Sequence, residues 1–85
     1  MKEVLIKDLS ALLMTDSLEE KVNLKARVSP VIEAARFDLE KESELHTKSL
    51  IIKTLNNYVE TSDARLKDAL TEHLKIIESH LIDRS

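Results

Sequence analysis

The sequence predicts an all-α fold: a small bundle of four to five short helices, built as one domain over residues 1–85. Three observations predict it. Glycine is absent and proline occurs once, whereas strands need glycine- or proline-rich turns between them. Apolar residues recur at three- and four-residue intervals, the period of a helix buried on one side. The only breakers are short polar clusters that double as helix caps.

The first helix is expected from Glu3 to Met14, where Leu5, Leu9, Leu12 and Leu13 share a face. Thr15-Asp16-Ser17 ends it. Ser17-Leu18-Glu19-Glu20 then reads as a capping box, in which serine and the glutamate three residues on satisfy otherwise unbonded amides. Leu18, Val22 and Ala26 mark one side of the helix that follows. Pro30 interrupts this segment. Inside a helix it removes a hydrogen bond and clashes with the preceding turn, at about 3 kcal/mol. At a first helical position behind an N-cap such as Ser29 it is tolerated. A break or sharp kink at Ser29 is therefore expected, with Val31, Ile32, Ala35 and Leu39 along one stripe beyond it.

Ser43 to Ser49 reads as a soft breaker, so Thr47 or Ser49 should open the central helix. That helix carries Leu50, Ile51, Ile52, Leu55, Tyr58 and Val59, the most apolar stretch of the chain. Thr61-Ser62-Asp63 stops it and caps the last helix, expected from Asp63 to Ile82. There Leu66, Leu70, His73, Ile77 and Leu81 form a stripe that Ala69, Leu74 and Ile76 widen. Arg65, Lys67, Glu72, Lys75 and Glu78 should face water. Residues 1–29 form the N-terminal helices and residues 30–85 the helical core.

Composition narrows the function classes. Cysteine is absent, which leaves no disulfide framework and no thiolate metal site. No stretch resembles a signal peptide or approaches the roughly 20 apolar residues of a membrane span, so a cytoplasmic protein without a membrane partner is expected. Lys and Arg number 13 against 16 Asp and Glu, a net charge of -3. This lacks the basic excess on which non-specific DNA binding depends. Lys21, Lys25 and Arg36, or Arg65 and Lys67, form small basic clusters, but Glu19, Glu20, Asp63 and Asp68 dilute them.

No phosphate-binding glycine loop, HExxH motif or nucleophile elbow is present, and no enzymatic activity, cofactor or metal is expected. His73 and His80 stand two turns apart, about 10.5 Å of rise, too far to share one metal ion. They remain candidates for pH sensing, because histidine titrates between about pH 5 and 8. His46 lies in the soft breaker and needs no special role.

The aliphatic stripes carry more information. So short a chain buries only about 60–65% of its unfolded surface, and aromatics make up 2% of it. Small scaffolds of this kind usually need reinforcement, and oligomerisation is one form of it. Leu50-Ile51-Ile52 covers about 200–300° of helix circumference, more than one internal face. The expected homodimer interface is Leu50, Ile51, Ile52, Leu55, Tyr58 and Val59 with Leu66, Leu70, Leu74 and Ile77. The alternative is that the central helix is simply core.

Lys48-Ser49-Leu50-Ile51-Ile52-Lys53-Thr54-Leu55 is similar to a segment of the YmgB/AriR/YcgZ family of small biofilm and acid-stress regulators. Glu60-Thr61-Ser62-Asp63 resembles the turn that follows it there, and Lys67-Asp68, Leu74 and Ile76-Ile77 continue the similarity without a gap. It spans Val31 to Leu81. Glu42-Ser43-Glu44-Leu45 departs from the glycine- and asparagine-containing loop frequent in the family. The resemblance implies a small helical dimer that acts as a non-enzymatic connector. Such a protein feeds stress signals into two-component phosphorelays by contacting a signalling or transcription regulator. A nucleoid-type DNA-binding modulator, and an immunity or antitoxin-like protein of a phage or plasmid, are the alternatives.

Overall fold

A computed structural model describes residues 2–82 of the chain. Among them are four helices: α1 (Lys2–Met14), α2 (Leu18–Ala34), α3 (Lys41–Thr61) and α4 (Ala64–His80). Two short strands, β1 (Arg36–Phe37) and β2 (Leu81–Ile82), pair antiparallel, Arg36 opposite Ile82 and Phe37 opposite Leu81. The fold is all-α, a small helical bundle. Each helix packs on its sequence neighbours, and α4 returns to pack on α1, which closes a four-helix ring.

Caps fix two of the helix starts. Ser17 Oγ accepts from Glu20 N at 3.2 Å, the first half of the predicted capping box. The return half is different. Ser17 N donates to Thr15 Oγ1 at 3.1 Å, and the Thr15 hydroxyl donates to Glu20 Oε2 at 3.0 Å. Asp63 opens α4 by accepting from Arg65 N at 2.8 Å. Between α3 and α4, Ser62 takes the left-handed conformation at φ 54° and donates its amide to Tyr58 O at 2.7 Å. That closes the last turn of α3 without a glycine.

The core draws on all four helices. Leu5, Leu9 and Leu12 meet Leu24, Val28 and Ile32, together with Ile51, Leu55, Tyr58, Val59, Leu70 and Ile77. Phe37 and Leu81, which face each other across the strand pair, are buried in the same cluster.

Four expectations need correction. Helix α2 runs unbroken through Pro30. Val28 and Ile32 are fully buried on either side of the proline, so breaking the helix there would uncover core. Pro30 and Ala26 are both exposed, so the missing hydrogen bond between them falls on the outer side of the helix. Helix α3 starts at Lys41, some six residues before the predicted opening. The segment read as a breaker is helical because Glu44 and Lys48 use consecutive turns to hold the preceding connection, as described below. The stripe from Val31 to Leu39 is not one helix; α2 ends at Ala34, and Ala35 and Leu39 lie in the connection around β1. Last, α4 stops at His80, because Leu81 and Ile82 turn into β2.

Candidate interaction surfaces

The ten residues expected at a dimer interface do not share a surface. Ile51, Leu55, Tyr58, Val59, Leu70 and Ile77 are buried within the single chain. Ile52, Leu66 and Leu74 are partly buried against that core. Only Leu50 stands out, at 42% exposure. The ring explains this: α3 has neighbours on two sides, α2 and α4, and each takes part of the wide apolar arc.

An outward apolar stripe lies instead on α2, while Val4, Leu45 and Ile82 are exposed on other elements. The side of α2 that packs inward is Lys21, Leu24, Val28 and Ile32, at three- and four-residue spacing. Leu18, Val22 and Ala26, the side marked in the sequence, form the outer one. Leu18 is 60% and Val22 48% exposed, and Ala26 is exposed one turn further on. Met14, at the end of α1 just before the three-residue turn into α2, is 83% exposed. Single exposed aliphatics are ordinary on a soluble surface, whereas a run at helical spacing calls for an explanation. Exposed Glu19 and Glu33 lie along this stripe, and exposed Asp16 precedes the helix. Of the cations on the same helix, Lys21 is buried, Lys25 is half-buried, and Arg27 reaches back to Asp8 on α1 at 3.3 Å.

Sequence reasoning missed the true inner side because it begins with a lysine. Lys21 is only 5% exposed. Its Nζ donates to Ser62 Oγ at 3.0 Å and lies 5.0 Å from the centre of the Tyr58 ring. The ammonium thus meets the C-terminal end of α3, where the helix dipole favours a cation. The spacing of Leu24, Val28 and Ile32, extended back by three, was the signal that could have found it.

A second polar cluster organises the connection between α2 and α3. Glu44 Oε2 accepts from Phe37 N at 2.7 Å and pairs with Arg36 Nε at 3.5 Å. Lys48, one turn along α3, donates its Nζ to Ala35 O at 2.9 Å. Asp38 N donates to His80 O at 2.7 Å, which ties the end of α4 to the same place. The Phe37 amide above all, with Arg36 and Lys48 adding favourable charge, holds the Glu44 carboxyl below its ordinary pKa.

The histidines differ in environment. His73 is half-buried on α4, its Nδ1 is shielded without a hydrogen-bond partner, and burial lowers its pKa. His80 is half-buried at the end of α4 and His46 is exposed on α3. Among the described residues no group of three or more histidine or carboxylate side chains is placed to hold a metal ion. Nor, among them, is any helix long and apolar enough to cross a membrane.

The basic clusters noted in the sequence do not converge. Lys21 points inward, Arg36 is turned to Glu44, and Arg65 folds over its own cap residue Asp63 at 3.3 Å. Comparison of the chain with protein-family models, with characterised proteins and with solved structures finds no match.

Proposed function

We propose that this chain is a non-enzymatic regulatory connector that works by presenting the outer face of α2 to a signalling or transcription regulator. The observation that carries the reading is the exposed stripe Leu18, Val22 and Ala26, with Met14 at its end, on a helix whose other side is fully committed to the core. A helix laid on a partner reads out as anchors at this spacing. Polar partners already bond the buried or tethered groups Lys21, Glu44 and Lys48, which fits scaffold roles for them. The sequence resemblance to the biofilm and acid-stress regulators supports the same class of action, with regulation of those responses as its setting. The cytoplasm is the compartment that such a role requires.

Self-association belongs to this proposal in a changed form. A homodimer would use surface outside the core, with Leu50 as the exposed member of the expected set.

Crosslinking with mass spectrometry in the native host tests the reading, run on the natural chain and on Val22→Asp. The expected result is a set of crosslinks from α1–α2 residues such as Lys25 to a regulator protein, lost in the variant while its far-UV circular dichroism is unchanged. Regulator crosslinks that survive Val22→Asp would overturn it. The DNA-binding alternative predicts a complex with duplex DNA that weakens steeply with salt; the scattered cations give it less support.

A further inference from the structure

We infer that the partner of the α2 stripe is a basic amphipathic helix: an apolar ridge at helical spacing with lysine or arginine along its borders. This rests on the reading of α2 as the contact face and adds the chemistry of what it contacts.

Charge complementarity and shape point to this partner. Leu18, Val22 and Ala26 recur every four residues and so form a narrow ridge rather than a pocket. Such a ridge is matched by another helix. One border is acidic: Glu19 lies beside Leu18 and Val22, Asp16 precedes the helix, and Glu33 extends the same side toward the C-terminal end, all exposed. Of the three cations on α2, half-buried Lys25 stands on the opposite border of the stripe and offsets one of these charges; the other two are used elsewhere. Lys21 is directed at Ser62 and Tyr58, and Arg27 at Asp8. A partner with acidic borders would meet like charge, whereas basic borders would speed encounter and fix register. A second copy of this chain offers the same acidic excess and is the poorer match.

The test uses two synthetic peptides of about 18 residues, long enough to form helix, with identical leucine ridges, one bordered by lysine and the other by glutamate. Binding to the full chain is followed by amide chemical shifts and fluorescence anisotropy. The lysine peptide should bind at least ~10-fold more tightly at 0.01 M salt. The preference should shrink at 0.15 M, as the screening length falls from about 30 Å to about 8 Å. Shifts should map to residues 14–26. Val22→Asp should abolish binding of both peptides, and Glu19→Lys with Glu33→Lys should reverse the preference. Among the described residues none of the three side chains makes a bond that the substitutions would break, and unchanged circular dichroism checks this.

Equal affinity for both peptides, shifts that map elsewhere, or self-association of the chain through the stripe would each overturn the inference. Failure of this inference and failure of the contact-face reading are distinguishable. If the double charge reversal leaves crosslinks to the native regulator intact while Val22→Asp removes them, the contact face stands and the basic partner falls. If Val22→Asp also leaves them intact, both fall.

Discussion

Replacing Lys21 by methionine and, separately, by alanine distinguishes its charge from its packing. The ammonium gains from a hydrogen bond to Ser62 Oγ at 3.0 Å and from the Tyr58 ring at 5.0 Å. A hydrogen bond with a charged donor contributes about 1.5–3 kcal/mol. A desolvated cation over an aromatic face contributes about 2 kcal/mol, and the end of α3 adds about 0.3–1 kcal/mol. Against this stands a desolvation penalty of several kcal/mol for a buried charge. Among the described residues no carboxylate pairs with Lys21 to reduce it. The two sides come close to cancelling.

Lys21→Met keeps the length of the stem and removes the charge, so it should change stability by less than about 1.5 kcal/mol, the range of volume-conserving swaps. Lys21→Ala removes most of the buried stem. At about 0.8 kcal/mol per methylene it should cost about 2–3 kcal/mol. Urea unfolding followed by circular dichroism reads both. In a domain of this size each kcal/mol moves Tm by about 4–8 °C, so the two variants should differ by roughly 5–15 °C. If methionine is as damaging as alanine, the ammonium anchors the α3–α4 turn and the near-cancellation argued above is wrong. If both are neutral, Lys21 is not buried in solution.

Three further outcomes follow from the same geometry. His73 has a folded pKa below its ordinary 6.5 because burial disfavours the charged form. The unfolded chain therefore binds the proton first, and stability should fall as pH drops from about 6.5 through the lowered value; urea midpoints of His73→Gln should be flatter over that window. Glu44 is also lowered, with the Phe37 amide as the main cause. Its contribution should be intact above the ordinary carboxylate pKa of 4.5 and disappear as pH falls through the lowered one, and Glu44→Gln should speed hydrogen exchange at Phe37 and Asp38. Pro30→Ala should restore the bond to the Ala26 carbonyl in an exposed turn of α2. The interior-proline cost of about 3 kcal/mol, less about 0.4–1 kcal/mol for the freer unfolded chain, leaves a gain of about 2–2.6 kcal/mol, visible as a higher Tm.

The parts of the fold governed by local chemistry were legible in the sequence. Ser17 and Asp63 cap where their hydroxyl and carboxylate predict, because a cap depends on residues two or three positions away. The stripe of α1 was equally readable, since all four of its leucines point inward. What failed depended on distant partners. Nothing near Pro30 announces that Val28 and Ile32 will be held by the rest of the ring. The inner face of α2 was hidden because Lys21 becomes core only when Tyr58 and Ser62 arrive from α3 and the turn after it. The strand pair joins residues some 45 positions apart, and its short segments leave no alternation to detect. The candidate site followed the same rule. The stripe itself was visible as Leu18, Val22 and Ala26, but its assignment to inside or outside needed the ring.

Association is where this difference has the largest consequence. Ile51, Leu55, Tyr58, Val59, Leu70 and Ile77 are buried within the single chain, so a dimer built on them would have to open that core. Truncating a buried leucine costs about 2–5 kcal/mol, while a whole domain is stable by about 5–15 kcal/mol. Leu55→Asp, which places a charge at a fully buried position, should therefore unfold the chain rather than separate two folded copies. Leu50→Asp should leave the fold intact. The radius of gyration, 12.0 Å, matches the roughly 12 Å expected of an independent domain of this length, so the ring can close without a second copy. Light scattering and circular dichroism on both variants decide the matter. A Leu55→Asp chain that is folded and monomeric where the natural chain is dimeric would refute this assignment of the core and return α3 to the interface. A Leu50→Asp chain that is folded but has lost a dimer would place self-association on the outer side of α3, apart from the stripe on α2.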